Sequence, residues 1–151
     1  MRVSFDTNIL VYAADFNAGH RHSAAARLLE RASRANCLLT LQTLCEFFNV
    51  ATRKAKLAPA EVRGFVLDWR EVFPIHIADE SALDDAIQAV ARHHLPFWDA
   101  MLWATVQQAG CDLLLTEDFQ DRRRLGTVTF INPFDPVNAA LLDRALAPEA
   151  K

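Results

Sequence analysis

Residues 3–12 read VSFDTNILVY, in which one acid separates a short apolar run from a longer one. Val3–Phe5 is a short β-leaning run, and the acid Asp6 follows it directly. Thr7 and Asn8 then begin a pattern typical of a helix, which continues to the end of the stretch. A strand that passes through a single acid into a helix is the first half of a βαβ unit. The stretch therefore predicts a parallel sheet.

The same alternation of strand and helix continues along the chain. Further strands are predicted at Cys37–Thr40, Ile75–Ile77, Leu113–Leu115 and Val128–Ile131. Further helices are predicted at Ser23–Ser33, Leu41–Lys54, Pro59–Phe73, Ser81–His93, Phe97–Ala109 and Asp135–Leu146. A polar turn or short helix is predicted at Thr116–Arg124. Because strands separated by helices imply right-handed crossovers, the expected fold class is α/β, a three-layer α/β/α arrangement around a central, mostly parallel sheet.

Composition favours one soluble domain over residues 1–151. The chain is 52% hydrophobic, which is enough apolar content for one core. Its 151 residues are too few for two domains of ordinary size. A net charge of −3 argues against a protein that coats nucleic acid through bulk positive charge, so a polyanionic substrate would be held locally. No apolar run reaches the roughly 18 residues of a membrane span, and a cytoplasmic location without membrane contact is expected. Neither a disulfide framework nor a zinc site is suggested by the three thiols, which are predicted to be reduced and mostly buried: Cys37, Cys45 and Cys111.

Four acids carry most of the functional information: Asp6, Glu46, Asp99 and Asp118. Three of them lie at strand exits or at the heads of helical patterns, and such junctions gather at the carboxyl edge of an α/β sheet, where ligands bind. Carboxylates ~4 Å apart repel by about 4 kcal/mol per pair at an effective dielectric of ~20, unless a cation lies between them. The pattern therefore indicates a divalent metal site, with Mg²⁺ or Mn²⁺ as the ions that suit oxygen ligands.

Each acid also has a purely structural interpretation. Asp6 suits the N-cap of a helix, and Asp118 suits a turn or a cap. Glu46 could be a solvated helix residue, because it faces away from the predicted core stripe of its helix, which is formed by Leu44, Phe47, Phe48 and Ala51. Asp99 is the hardest to explain in this way, since its helix is apolar on all sides and a buried carboxylate needs a partner. The joint pattern shifts the balance towards a metal site.

The chain resembles the PIN-domain ribonucleases, and more narrowly the VapC-type toxins of bacterial toxin–antitoxin pairs. The resemblance rests on segments in the expected order: FDTNILVYA at 5–13, LCEFFNV at 44–50, FWDAMLWATVQQAGCDLLLTEDF at 97–119 and INPF at 131–134. It implies an endoribonuclease dependent on Mg²⁺ or Mn²⁺, with RNA as substrate. The metal-site and catalytic residues would be Asp6, Glu46, Asp99 and Asp118, supported by Thr7, Asn8 and Thr116. A homodimer and a cognate VapB-type antitoxin are also implied.

Two features of the site stay open at this stage. Glu117 and Asp121 compete with Asp118 as metal-facing groups, because all three follow the same strand. The substrate phosphates must also meet a basic side chain in a chain of net negative charge. The candidates form three clusters: Arg21/Arg27/Arg31/Arg34, Arg53/Lys54/Lys56 and Arg122/Arg123/Arg124. The last cluster is favoured, because it follows Asp118 closely.

Two other classes of function compete with a nuclease. A receiver-like phosphoacceptor signalling domain also gathers acids at strand ends around Mg²⁺. That fold requires a Lys-Pro pair after its last strand, whereas this chain has Asn132-Pro133. The other alternative is a non-catalytic RNA-binding module, which the full set of four acids disfavours.

Overall fold

The predicted strand Val3–Phe5 is an edge of the main sheet and pairs with a strand more than 100 residues later in the chain. A computed structural model describes residues 1–150. The strands are β1 (Val3–Phe5), β2 (Leu39–Thr40), β3 (Ile75–His76), β4 (Leu113–Leu115), β5 (Arg124–Leu125) and β6 (Val128–Ile131). One sheet has the order β1-β4-β6-β5, β2 pairs with β3, and a parallel bridge between Val3 and Cys37 links the two. All pairings are parallel except that of β5 with β6.

Helices cover the sheet. Their bounds are α1 (Thr7–Ala14), α2 (His20–Ala32), α3 (Leu41–Arg53), α4 (Pro59–Val72), α5 (Glu80–His93), α6 (Phe97–Gln108) and α7 (Ala139–Ala145). Two buried clusters form, one around α1 to α4 and α7, the other around α5 and α6. Leu113 and Leu115 enter the first cluster and Leu114 enters the second, as expected for side chains that alternate along a strand. The predicted three-layer α/β/α class is confirmed.

Local signals explain where several helices begin and end. Asp79 caps α5 by accepting from the backbone N–H groups of Ser81 and Ala82. Pro59 occupies the first turn of α4, where its missing N–H costs nothing. Gly110 follows α6 with a φ of 76°, a left-handed conformation that favours glycine, so the predicted end of this helix is confirmed.

The region after β4 differs from the prediction. The segment predicted as a turn or short helix ends in β5, which folds back antiparallel on β6 with Leu125 opposite Val128. Gly126 has a φ of 57° and opens the two-residue connection between the strands. A Cβ there would lie 1.9 Å from Oε1 of Gln107, so glycine also permits the close packing of α6. The hairpin escaped prediction because two residues are too short to show an alternating pattern.

The prediction of buried side chains on α3 was partly wrong. Phe47 is fully buried, whereas Phe48 is 40% exposed and Cys45 is also exposed. Cys37 and Cys111 are buried, so the prediction of mostly buried thiols is confirmed. In residues 1–150, no helix has both the length and the apolar character that crossing a bilayer requires.

Candidate active site

Asp6 lies where two neighbouring parallel strands end. Phe5 is in register with Leu115, so the residues after β1 and β4 emerge side by side. Asp6 caps α1, since its Oδ1 accepts from the backbone N–H of Thr7 at 2.7 Å. Its Oδ2 accepts from the hydroxyl of Thr116 at 2.7 Å. Asp6 thus serves as the N-cap that its position suggests and also meets a side chain from the adjacent strand.

Burial makes the charge of Asp6 costly. The residue is only 7% exposed, and burial raises its pKa to about 7. The nearby carboxylate of Asp118 raises this pKa as well, whereas the hydrogen bond from Thr116 opposes the shift. The two donors therefore do not offset the cost of desolvating the carboxylate. A cation bound next to Asp6 would offset this cost.

Glu46 approaches from α3, the helix that directly follows β2. Its Oε2 accepts from the hydroxyl of Thr7 at 2.8 Å, and its Oε1 accepts from Nε2 of Gln42 at 3.1 Å. The Thr7 side chain thus links Glu46 to the helix that Asp6 caps. Glu46 is half-buried, because it faces the ends of the strands and not the core of its own helix.

Asp99 lies in the first turn of α6, on the other side of the sheet edge. Burial raises its pKa, and the charges of Asp118 and Glu46 raise it further. Asp99 is thus within electrostatic range of both carboxylates, as Asp6 is of Asp118. The four predicted acids face a common region, although they come from four separate elements of the chain.

Asp118 completes the group from the loop after β4. Its Oδ2 accepts from Nδ2 of Asn8 at 3.2 Å, and its backbone N–H donates to Oγ1 of Thr116 at 3.1 Å. Thr116 therefore bridges Asp6 and Asp118 through one hydroxyl. All three side chains predicted to support the acids contact one of them: Thr7, Asn8 and Thr116.

The structure separates Asp118 from the two acids that compete with it. Glu117 turns away from Asp6 and forms an ion pair with Arg21, with Nη2 and Oε2 3.2 Å apart, and accepts from the hydroxyl of Tyr12. Asp121 accepts from the backbone N–H of Asn132 at 2.7 Å and from the side-chain amide of Asn138. Both acids are thus engaged in holding loops.

The donor set fits a hard divalent cation in chemistry. The acids offer carboxylate oxygens only, and the pKa values of Asp6 and Asp99 are raised first by burial and then by repulsion from neighbouring carboxylates, both of which a cation would offset. Within residues 1–150, no three His, Cys, Asp or Glu side chains are close enough together to enclose an ion as they stand. An ion held partly through water fits this looser arrangement, because Mg²⁺ keeps several waters in protein sites.

The predicted RNA-contact arginines are engaged locally. Arg122 donates from Nε to Oδ1 of Asn138 at 2.8 Å and from Nη2 to the carbonyl of Val137 at 3.0 Å. Arg124 donates to the carbonyl of Gly126 at 3.2 Å, and Arg123 is half-buried. Their role towards RNA stays a prediction.

Sequence reasoning missed Tyr12 and named Arg21 only as one of several basic candidates, yet both contact the site loop through Glu117. Tyr12 lies in the same helix as Asn8, at a spacing of four residues, so a shared helix face was a signal for it. Nothing local in the sequence connects Arg21 on α2 with Glu117.

Comparisons with known proteins identify the family and the fold of the chain. The PIN-domain family model matches residues 3–125. The VapC20 toxin of Mycobacterium tuberculosis, described as a sarcin-ricin loop cleaving toxin, superposes with a TM-score of 0.64 at 16% sequence identity, covering 77% of this chain and 89% of that one. A toxin–antitoxin complex from Klebsiella pneumoniae superposes with a TM-score of 0.63 at 23% identity, covering 88% of this chain and 98% of that one.

At these identities the two structures show a shared fold. None of the curated proteins compared with the chain matches it. The family model, by contrast, spans most of the sequence, and the resemblance inferred from the motifs is confirmed. The chain belongs to the PIN-domain family.

Proposed function

We propose that this chain is a metal-dependent endoribonuclease and acts as the toxin of a type II toxin–antitoxin pair. The observation that carries the proposal is the gathering of Asp6, Glu46, Asp99 and Asp118 at the carboxyl edge of the sheet, with the pKa of Asp6 raised to about 7 by burial. Family membership and the likeness in fold to VapC20 support it. The receiver-like alternative has no support from the family match.

The acids would share the work of holding Mg²⁺ or Mn²⁺. Asp6 and Asp99 would bind the ion directly, and Glu46 and Asp118 would bind directly or through water. When bound, such an ion supplies a water of lowered pKa and offsets charge on the phosphoryl oxygens. Thr7, Asn8 and Thr116 hold the carboxylates in orientation by donating to Glu46, Asp118 and Asp6 respectively. No side chain has to act as the nucleophile.

A protein partner is part of this proposal. The Klebsiella neighbour is a toxin–antitoxin complex, which supports a VapB-type antitoxin for this chain. An apolar groove of about 1080 Å³ lies between α3, α4 and β3, lined by side chains such as Leu41, Phe48 and Ile77. Exposed apolar surface of this extent favours a protein contact, either with the antitoxin or in a homodimer. We place the protein in the cytoplasm, where its RNA substrate lies.

Cleavage of RNA by the purified protein tests the proposal. We expect cleavage with Mg²⁺, none with EDTA, and a loss of at least about 100-fold for Asp6→Asn or Asp99→Asn. Asp143→Asn is the matched control, because this exposed carboxylate pairs with Arg31 on α2 away from the four acids. Wild-type activity of Asp6→Asn would contradict the metal site. RNA binding without cleavage by the wild-type protein would instead favour the non-catalytic module.

A further inference from the structure

Arg21 is a cation at the rim of the acidic site. Its Nη2 lies 3.2 Å from Oε2 of Glu117, and its guanidinium carbon lies 4.4 Å from the ring centre of Phe134. Glu117 stands between Thr116 and Asp118 in the chain. The guanidinium therefore contacts the loop that supplies two members of the site, at the residue between them.

The other ion-paired arginines of residues 1–150 lie elsewhere. Arg31 pairs with Asp143 over 2.8 Å, and Arg34 pairs with Glu30 over 3.5 Å within the α2 region. Neither partner adjoins the four acids in the chain. Among the ion pairs that the structure describes, only that of Arg21 places a positive charge beside the site.

The position of Arg21 is held from two sides, yet its side chain stays 45% exposed. Glu117 anchors one edge of the guanidinium, and Phe134 supports its face. Tyr12 fixes both supports, because its hydroxyl donates to Glu117 and its ring packs edge-on against Phe134 with the ring centres 5.8 Å apart. A guanidinium has five N–H donors in a planar fork, so a single carboxylate partner leaves donors for a ligand.

We propose that Arg21 binds a backbone phosphate of the RNA substrate and positions it over the acidic pocket, an inference that rests on the ribonuclease activity proposed above. Four clustered carboxylates repel a polyanion, so the substrate needs a fixed cation at their edge. The guanidinium fork matches phosphate oxygens in geometry, so it can bind two of them at once. Glu117 keeps the fork in place without taking all of its donors.

Binding of a labelled RNA tests this role. The probe is a fluorescein-labelled, mixed-sequence single-stranded RNA, and its Kd is measured by anisotropy with Mg²⁺ in the Asp99→Asn background, where we expect no cleavage. Arg21→Gln should weaken binding about tenfold and reduce the slope of log K against log salt by about 0.7. Arg31→Gln is the matched control, because this arginine lies on the same helix about 15 Å along the axis and is also ion-paired. Its Kd should stay within about twofold of the parent.

Two further variants separate phosphate binding from simple support of the loop. Glu117→Gln removes the anion that competes for Arg21 and keeps an oxygen for Tyr12, so RNA binding should be as tight as in the parent or tighter. Arg21→Lys keeps the charge and should recover part of the affinity. If Glu117→Gln weakens binding as much as Arg21→Gln does, Arg21 only anchors the loop and the inference is wrong. An unchanged Kd in Arg21→Gln would overturn it as well.

The wild-type protein shows which proposal has failed. If it cleaves RNA with Mg²⁺ while Arg21→Gln binds RNA as the parent does, the ribonuclease stands and the role of Arg21 falls. If it neither cleaves nor binds RNA, both proposals are wrong. Unfolding temperatures of all variants, measured in EDTA, verify that the comparison is made between folded proteins.

Discussion

The hydroxyl of Thr116 donates to Oδ2 of Asp6 over 2.7 Å and accepts from the backbone N–H of Asp118 over 3.1 Å. One buried side chain thus ties together the ends of β1 and β4. The link depends on the parallel register that sets Phe5 beside Leu115. Orientation of Asp6 therefore rests on a residue that is distant in sequence, and this relationship can be tested directly.

Replacing Thr116 with valine keeps the shape of the side chain and removes its hydroxyl. We expect a loss of about 1 kcal/mol in the free energy of unfolding, because a buried hydrogen bond disappears. Nuclease activity should fall about tenfold or more, since a group that orients a metal-binding carboxylate is lost. Urea denaturation and RNA cleavage check the two effects.

Thr105→Val is the control for this change. Thr105 is equally buried and donates to the carbonyl of Met101 within α6, about 9 Å along the helix axis from Asp99. The Thr105→Val variant should lower the free energy of unfolding without a comparable loss of nuclease activity. Equal activities for the two variants would contradict the orienting role of Thr116.

Metal binding should be visible in thermal stability without any substrate. A ligand at 100 times its Kd stabilises the folded state by about 2.7 kcal/mol, so saturating Mg²⁺ should raise the unfolding temperature of the wild-type protein by roughly 5–10 °C. Asp99→Asn should lose most of this rise. In EDTA the same variant should unfold at a higher temperature than wild type, because the carboxylates of Asp118 and Glu46 no longer repel a charge at this position. An equal Mg²⁺-induced rise in both proteins would exclude Asp99 from the metal site.

The neighbours Phe47 and Phe48 should differ sharply in their contribution to stability. Phe47 is fully buried and packs edge-on against Trp69, with ring centres 4.7 Å apart, whereas Phe48 is 40% exposed. Phe47→Ala should cost about 3–5 kcal/mol through lost burial and a cavity. Phe48→Ala should change the free energy of unfolding by less than about 1 kcal/mol. Chemical denaturation in EDTA measures both, and similar losses would contradict the orientation of α3.

Asp79 should make the stability of α5 depend on pH in the acidic range. Hydrogen bonds from Ser81 and Gln108 lower its pKa from 3.8 to about 2 in the folded protein. A lowered pKa means that the ionised form is favoured by folding. Its contribution is therefore fully present above the unfolded pKa near 3.8 and is lost as the pH falls through the folded pKa near 2.

Asp79→Asn isolates this effect, because asparagine is also a good N-cap but carries no charge. Wild type should be the more stable protein above about pH 4, and the difference should vanish near pH 2. Urea denaturation of both proteins across this range measures the difference. A difference that stays constant with pH would contradict the assignment.

Much of the fold was predictable because its signals are local. Val3–Phe5 and Leu113–Leu115 are apolar runs of strand length, and the residues after them begin polar turns or helices. Parallel strands separated by helices bring such exits to one edge, so Asp6 and Asp118 were predictable as neighbours. The hairpin of β5 and β6 was missed, because β5 has only two residues and the only other local sign of a turn is Gly126.

The order of strands and helices and the presence of acids at the strand exits follow from the amino-acid sequence, since both depend on hydrophobic pattern and on residue type at a junction. Which acid of the loop after β4 lies near Asp6 depends instead on contacts between distant elements. Glu117, Asp118 and Asp121 are alike in chemistry and position along the chain. Arg21 on α2 draws Glu117 away, Asn138 holds Asp121, and Asn8 holds Asp118. These partners lie between 17 and 110 positions away in the chain, where no local pattern can report which side chain a carboxylate will meet.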